Sequence, residues 1–287
     1  DIASVNDGSD NVSILIGDGN GGFTGIAPLN VGNAPYSLAI GDFNNDGKQD
    51  IVTANSSDDN VSIRLGDGNG GFTGSTNISV GDSVYSVVVA DFNADGKQDL
   101  ATSTYLGNDV RILFGDGMGG FSLSTTIIVG VNPIAIVIGD FNGDGKDDFA
   151  TANPGSTHIS VRLNNGMGGF FAANNIVLDF GSAPFSIRVG DFNTDGKQDL
   201  AVVNFNNNTI STSLGVASEI NVQGGIPLIN IVDGDLIPTA IDSTNFGNVN
   251  VGTTKIHSFT INNSGSSTLT ITSITSDNST YTISGAP

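Results

Sequence analysis

A nine-residue motif that returns four times is the feature that most limits how this chain can fold. The motif reads Asp-Phe-Asn-x-Asp-Gly-Lys-x-Asp, and internal repetition of this kind is typical of arrays of similar structural units. Its copies follow each other at steps of 49, 49 and 51 residues and begin at Asp42, Asp91, Asp140 and Asp191. A second motif, Gly-Asp-Gly-x-Gly-Gly-Phe, keeps the same step. We therefore expect the fold to be built from units of about 49 residues.

Short β-branched stretches with alternating apolar and polar residues lie between the motifs. Examples are residues 36–40, 51–54, 61–65 and 77–80, and each predicts a strand. No apolar spacing of 3.6 residues persists long enough to predict a helix. One repeat thus holds about four strands in about 49 residues, the size of a propeller blade. The fold class that follows is all-β, a β-propeller-like array of about five four-stranded blades with calcium loops.

The repeat also predicts how the blades begin and end. Residues 1–15 align with residues 50–64, so Asp1 matches Asp50 and would be the last residue of a further loop. The first blade then lacks its first strand, three blades are whole, and the last runs from about Phe185 through Leu214 into residues 220–223. Eight of the sixteen Phe occupy two fixed repeat positions, where we expect packing between blades: Phe43, Phe92, Phe141, Phe192, Phe23, Phe72, Phe121 and Phe170.

Each nine-residue motif carries side-chain oxygen atoms at positions 1, 3, 5 and 9 and Gly at position 6. A hard cation needs six to eight oxygen ligands, and the Gly lets the backbone turn so that the Lys at position 7 offers its carbonyl while its ammonium points to solvent. Carboxylates this close repel unless a cation lies between them. The predicted ligands of about four calcium ions are Asp42, Asn44, Asp46, Lys48, Asp50, Asp91, Asn93, Asp95, Lys97, Asp99, Asp140, Asn142, Asp144, Lys146, Asp148, Asp191, Asn193, Asp195, Lys197 and Asp199.

Two other interpretations of these motifs are an EF-hand and a series of turns without metal. An EF-hand is excluded because position 12 is Thr or Val instead of Glu, and because flanking helices are not predicted. A string of Asp/Asn turns without metal stays open as the alternative. In the second motif, Asp18, Asp67 and Asp116 are expected to cap a glycine turn, with a second cation as the alternative; Asn165 stands at the same position in the fourth copy.

Both motifs together resemble the FG-GAP/VCBS repeat family over about residues 1–215. The resemblance implies a β-propeller with calcium in loops between neighbouring strands of a blade, as in integrin α-subunit heads and secreted bacterial surface proteins. Such propellers often have seven blades, so closure of a ring is not expected from about five. Further on, residues 242–287 look like part of an immunoglobulin-like module of the choice-of-anchor D and ASPM/HYDIN kind, and residues 216–241 look like a connector.

Composition narrows the function classes. The chain has 29 Asp and Glu against 9 Lys and Arg, a net charge of −20 that repels nucleic acids and anionic membranes. Cys is absent, so disulfides and thiolate sites are excluded. No run approaches the roughly 20 apolar residues of a membrane span. We also recognise no leader peptide and expect a processed, exported protein.

Catalysis has little support, since the two His, His158 and His257, fall in different predicted domains. The sequence predicts an extracellular, calcium-binding structural or adhesive surface protein, not an enzyme, with other copies of itself, surface proteins or glycans as partners. Strand completion between copies could build a filament. The alternative is a calcium-dependent carbohydrate-binding module of a larger secreted protein. Against it, Trp is absent, and Tyr36 and Tyr85 share a repeat position that suggests core packing.

Overall fold

The structure is a computed structural model that describes residues 1–172, 175–178, 182–214, 220–224, 229–231 and 260–263. The chain divides into two compact units. One comprises Asp1–Phe141 and Gly145–Gly215, and the other comprises Asn142–Asp144 and Val216–Pro287. Within the described residues the regular structure is β-strand, apart from one 3-10 turn at Asp7–Ser9.

Five antiparallel sheets follow one another along the first unit, and we number them as repeats 1 to 5. Repeat 1 holds β1 (Ile2–Asn6), β2 (Asn11–Gly17), β3 (Phe23–Gly25) and β4 (Leu29–Asn30). Repeat 2 holds β5 (Pro35–Gly41), β6 (Asp50–Asn55), β7 (Asn60–Gly66) and β8 (Phe72–Ser79). Repeat 3 holds β9 (Val84–Ala90), β10 (Asp99–Thr104), β11 (Asp109–Gly115) and β12 (Phe121–Ile128).

The last two sheets of this unit are less regular. Repeat 4 holds β13 (Ala135–Gly139), β14 (Asp148–Ala152), β15 (His158–Asn164), β16 (Phe170–Ala172) and β17 (Ile176–Val177). Repeat 5 holds β18 (Pro184–Gly190), β19 (Asp199–Asn204) and β20 (Thr209–Ser213). In repeat 4 the outer strand is interrupted, since β16 and β17 both pair with β15. The predicted all-β, blade-like architecture is confirmed.

The second strand of a sheet is its most buried element. Every residue of β6 is buried, and the same holds for β10 and β14. These strands lie between two hydrogen-bonded neighbours and are covered on both faces, so their polar side chains need internal partners. In β6 the hydroxyl of Thr53 donates to Asn55 Oδ1 at 2.9 Å, and Asn55 Nδ2 donates to Ser62 Oγ of β7 at 2.9 Å.

Packing between successive sheets uses repeated Phe, as predicted, but the prediction is wrong for Phe23 and Phe192, which are 51% and 52% exposed. The ring centroids of Phe43 and Phe121 are 5.4 Å apart, and those of Phe92 and Phe170 are 5.6 Å apart. Phe43 belongs to repeat 2 and Phe121 to repeat 3, so each pair joins neighbouring repeats. Edge-on aromatic pairs of this kind stabilise an interface beyond the area that they bury.

Buried arginines form a second set of links that the sequence analysis missed. Arg64 is 7% exposed, and its Nε donates to the carbonyl of Asn30 in the preceding repeat at 3.0 Å. Arg162 Nη2 donates to the carbonyl of Ile128 at 2.7 Å, and Arg111 Nη1 donates to the carbonyl of Val80. Burial lowers the pKa of Arg64 and of Arg162. The sequence did contain a signal for these links, because Arg is rare in this chain and falls repeatedly on the third strand of a sheet.

The first residue of the array can be compared with its equivalent in the second repeat. The amide of Gly17 donates to Asp1 Oδ1 at 2.8 Å, as the amide of Gly66 donates to Asp50 Oδ1 at 2.8 Å. Asp1 therefore occupies the position predicted for it.

The predicted fourth strand of repeat 5, residues 220–223, is wrong. In the second unit, β21 (Ile220–Gly224) pairs with β22 (Ile229–Ile231) and β23 (Thr260–Asn263). The pairing of β21 with β23, which joins residues as far apart as Ile220 and Asn263, cannot be read from local alternation. Apart from Thr260–Asn263, the predicted immunoglobulin-like module of residues 242–287 lies outside the described residues. That module and the strand-completed filament stay predictions.

Candidate metal-binding loops

The four Asp/Asn loops connect the first strand of a sheet to the second. We name them loop A (residues 42–50), loop B (91–99), loop C (140–148) and loop D (191–199). The last residue of each loop is the first residue of the second strand. All four therefore lie at the same end of their sheets, because every first strand runs toward its loop.

Positions 1 and 3 of a loop turn their side-chain oxygen atoms onto the same backbone amide. In loop A the amide of Asp46 donates to Asp42 Oδ1 at 3.0 Å and to Asn44 Oδ1 at 3.1 Å. The amide of Gly47 donates to the other oxygen of Asp42 at 2.8 Å. Loops B and D repeat this pattern with the amides of Asp95 and Asp195. Oxygen atoms of positions 1 and 3 are thus gathered on one side of the turn.

Two left-handed residues make this turn possible. Position 6 is Gly with φ between 79° and 83° in every loop, as predicted. Position 4 also has a positive φ, which the sequence analysis missed: it is 56° at Asn45, 59° at Ala94, 77° at Gly143 and 62° at Thr194. A left-handed conformation is costly for a β-branched residue such as Thr. Gly143 of loop C and Asn45 of loop A are the two residues at this position that favour a positive φ, and they are the sequence signal for it.

The Asp at position 9 is buried and joins the loop to its sheet. Asp50 Oδ2 accepts from the amide of Phe43 at 2.8 Å, and Oδ1 accepts from the amide of Gly66 at the end of β7 at 2.8 Å. Asp99 and Asp148 make the matching pairs of bonds. Burial raises the pKa of Asp50 and of Asp99, while these amides act in the opposite direction. Position 9 therefore has a structural role of its own.

The lysine at position 7 corrects one expectation. Lys48 Nζ lies 3.0 Å from Asp46 Oδ2, and Lys97 Nζ lies 3.3 Å from Asp95 Oδ2, so these ammonium groups pair with position 5 and do not simply point to solvent. The hydrogen bond from Lys48 lowers the pKa of Asp46. At Asp95 the backbone amide of Lys97 is the main cause of a lowered pKa. Each lysine thus offsets part of the negative charge of its loop.

The four loops differ in exposure and detail. Positions 1 and 3 are half-buried in loops A, B and C and exposed in loop D. In loop C the amide of Asp144 donates to Asn142 Oδ1 at 2.9 Å, and the amide of Gly145 donates to Asp140 Oδ2 at 2.9 Å. No group of three or more Asp, Glu, His or Cys is brought together as a metal cluster within the described residues. The acidic side chains of positions 1 and 5 lie in the turn, whereas position 9 faces inward to the sheet.

Neighbouring repeats are connected through the loops. Gln98, at position 8 of loop B, accepts from the amide of Asp42 in loop A at 2.7 Å. The carbonyl of Phe43 accepts from Gly119 of repeat 3 at 2.9 Å, and that of Phe92 accepts from Gly168 of repeat 4 at 3.0 Å. A loop is therefore fixed by the repeat that follows it as well as by its own sheet.

Comparison with family models gives three matches to the FG-GAP-like repeat, over residues 1–53, 42–102 and 140–202. These segments include more than half of the chain. The chain belongs to the FG-GAP-like repeat family. None of the curated proteins compared with the sequence matches it.

Solved structures of low sequence identity share the fold of this FG-GAP chain. A protein of unknown function from Desulfotomaculum acetoxidans is 15% identical, with a TM-score of 0.51, and the match covers 75% of this chain and 70% of that chain. A protein from Bacteroides uniformis, proposed to be a 6-phosphogluconolactonase, is 14% identical with a TM-score of 0.51, covering 75% and 68%. A Lactobacillus plantarum protein is 13% identical, with a TM-score of 0.50, covering 75% and 67%. At such identities the likeness concerns the fold alone.

The glycine turns of the FG-GAP repeats behave as predicted. Asp67 Oδ1 accepts from the amides of Asn69 and Gly71 at 2.7 and 2.9 Å, and Asp18 and Asp116 do the same in their own turns. In the degraded copy, Asn165 Oδ1 accepts from Met167 and Gly169 at 2.8 and 3.1 Å. One oxygen atom serves both amides, which is why Asn can replace Asp here. This cap is sufficient to explain why Asp or Asn stands at this position of the glycine turn.

The two histidines add little to the candidate site. His158 starts β15, and burial lowers its pKa, with the nearby Arg162 acting in the same direction. His257 lies outside the described residues. Among the described residues, no helix is long and apolar enough to cross a membrane.

Proposed function

We propose that this FG-GAP chain is a calcium-stabilised, non-enzymatic module that acts outside the cell as a structural or adhesive surface protein. One observation carries the proposal: in loops A, B and D, side-chain oxygen atoms of positions 1 and 3 converge on one backbone amide. Oxygen atoms gathered on a tight turn are the donors that a hard cation prefers.

The donor set fits calcium. Loops A, B and D each offer carboxylates at positions 1 and 5 and an amide oxygen at position 3, and the left-handed Gly at position 6 would let the carbonyl of position 7 join them. The residues that would hold the ion are the predicted ones at positions 1, 3, 5 and 7, whereas the predicted ligand at position 9 faces the sheet and holds the loop in place. Bound calcium would supply positive charge among carboxylates that otherwise depend on the lysine for it. The net charge of −20 also favours divalent cations over anionic partners.

The structural role follows from where the loops lie. Loops A and B are each tied to their own sheet through position 9 and to the next repeat through the carbonyl of position 2. An ion that orders a loop would therefore stiffen two repeats. Since calcium is abundant outside cells, a chain that depends on it for rigidity suits an extracellular location.

Metal analysis and thermal unfolding test the proposal. Protein dialysed against calcium and then gel-filtered should retain about four ions per chain, and excess EDTA should lower the Tm by several degrees. Asp95→Ala should remove about one ion, whereas Asp116→Asn, in the glycine turn of the same repeat, should remove none. An unchanged melting curve in EDTA, or an undiminished ion count in Asp95→Ala, would refute the assignment.

A further inference from the structure

Three of the four tyrosines form a row at the end of the sheets opposite the Asp/Asn loops. The ring centroids of Tyr36 and Tyr85 are 4.6 Å apart, and those of Tyr85 and Tyr105 are 5.1 Å apart. Tyr36 and Tyr85 stand near the beginning of β5 and β9, and Tyr105 directly follows the antiparallel strand β10. We define these three residues as the tyrosine row. It is contributed by two successive repeats.

Bulges in the first strands aim two of these rings. In the pairing of β5 with β6, Pro35 is opposite Asn55 and Ser37 is opposite Ala54, so Tyr36 is the extra residue. The pairing of β9 with β10 skips Tyr85 in the same way. A bulge removes a residue from the ladder and redirects its side chain, and bulges are common beside functional sites.

The exposed fraction of Tyr36 indicates that its ring does not pack in the core. Tyr36 is 47% exposed, whereas Ile134, at the same repeat position, is 8% exposed. Where this repeat position is buried, in repeat 4, its residue is therefore aliphatic. The interpretation of Tyr36 as core packing is wrong, because the bulge places its ring at the surface. Tyr85 lies half-buried between the other two rings.

The backbone beneath the tyrosine row is already fixed. The amide of Tyr105 donates to the carbonyl of Ser83 at 2.9 Å, and the amide of Ser56 donates to the carbonyl of Ala34 at 2.9 Å. Ser83 Oγ donates to the carbonyl of Ser56 at 3.2 Å, which connects the two repeats. A rigid aromatic surface loses little conformational entropy when a ligand binds. These bonds also occupy backbone groups that a peptide would need in order to add as a strand.

Charge selects among the ligands that stack on aromatic rings. Burial raises the pKa of Tyr85, and the neighbouring Tyr36 and Tyr105 and the carboxylate of Asp7 act in the same direction, so a negative charge on this surface is disfavoured. Together with the net charge of −20, this disfavours anionic glycans and nucleic acids. Neutral sugars remain well suited, since their C–H faces stack on phenol rings while hydroxyl groups donate to carboxylate and phenol oxygens.

We propose that the tyrosine row is a binding surface for neutral oligosaccharides, with the exposed ring of Tyr36 as the main stacking contact and Tyr85 as the ring that supports it. Because Tyr85 contacts both of the other rings, the three rings form one continuous aromatic patch that more than one sugar unit of an oligosaccharide can contact. This inference goes beyond calcium binding and stands without it, since the row lies at the opposite end of the strands from the loops. It names neutral oligosaccharides as the class of partner for the proposed adhesive role.

Tyrosine fluorescence provides the test, because the chain has four Tyr and no Trp. Full-length protein in calcium is titrated with neutral cello-, malto-, manno- and xylo-oligosaccharides, with a sulfated glycan and a lysine-rich peptide as competing classes. At least one neutral series should change the fluorescence and bind in a saturable way. The double variant Tyr36→Ile, Tyr85→Ile copies the residue of repeat 4 and should weaken binding by about tenfold or more.

Matched variants separate this proposal from others. Phe185→Ile makes the same change at the equivalent bulge of repeat 5 and should leave binding unchanged. Asp95→Ala tests the calcium proposal alone and should also leave binding unchanged. The Tm of each variant verifies folding. The proposal is overturned if no neutral series binds, if only the sulfated glycan or the lysine-rich peptide binds, or if the double variant binds as tightly as the parent.

Discussion

Replacement of the buried aspartate at position 9 should destabilise the fold even without calcium. Asp99 has no exposed surface, and its two carboxylate oxygens serve different amides: Oδ2 accepts from Phe92 at 3.0 Å, and Oδ1 accepts from Gly115 at 2.9 Å. In Asp99→Asn one oxygen becomes an NH₂ group that faces a backbone N–H. One charge-assisted hydrogen bond is then lost, and two buried donors, the new NH₂ group and the backbone N–H, face each other without an acceptor.

The expected loss is about 2 kcal/mol for Asp99→Asn. Burial of the ionised carboxylate opposes folding, as the raised pKa of Asp99 indicates, and removal of that charge returns part of the loss. Asp99→Ala leaves both amides without an acceptor and opens a cavity, so that about 4 kcal/mol is expected.

Urea unfolding in excess EDTA measures these losses without any contribution from bound metal. Asp116→Asn is the matched control, because the amides of Met118 and Gly120 both donate to Oδ1 and one oxygen is enough. Its unfolding midpoint should stay close to that of the parent. If Asp99→Asn unfolds within about 0.5 kcal/mol of that control, the buried pair of bonds does not stabilise the loop and our reasoning fails.

Three further changes test other parts of the structure. Arg64→Met removes the donor to the carbonyl of Asn30 and should cost about 2 kcal/mol in urea unfolding; an unchanged midpoint would show that this link between repeats is not stabilising. Thr194→Gly relieves a φ of 62° and should stabilise by about 0.5–1 kcal/mol, whereas Gly143→Thr should destabilise by a similar amount; a change of the same sign in both variants would contradict the strain. Lys97→Gln removes the ammonium paired with position 5 and should tighten calcium binding up to about tenfold at low salt, measured by calorimetry; weaker binding would mean that the lysine assists the ion.

The sequence predicts the features that depend on local chemistry. The strand alternation, the glycine at position 6 and the caps of Asp18, Asp67 and Asp116 are all confirmed, because each involves residues only a few positions apart. The family resemblance extends this to the sheets as a whole, and the family match over residues 1–102 and 140–202 confirms it. Calcium binding itself stays a prediction.

Features that depend on distant pairing escape the sequence. Gln98 bonds to the amide of Asp42, 56 residues earlier, and nothing near Gln98 announces that contact. Residues 220–223 have strand character, but their partners are Ile229–Ile231 and Thr260–Asn263. Tyr36 shares a repeat position with buried Ile134, and only the bulge decides that its ring is exposed. In each case the missing information is the register between segments.

The connections between repeats bear on how calcium in one loop would affect the rest of the array. Loop A receives a hydrogen bond from Gly119 in repeat 3 at the carbonyl of Phe43, and its first amide is bound by Gln98 of loop B. The Phe43 ring also contacts Phe121 of repeat 3. Order in loop A therefore fixes the position of the next repeat, and loop B stands in the same relation to repeat 4. Where repeats contact their nearest neighbours in this way, the interfaces carry the cooperativity, so successive ions would stabilise the array by more than the sum of isolated loops.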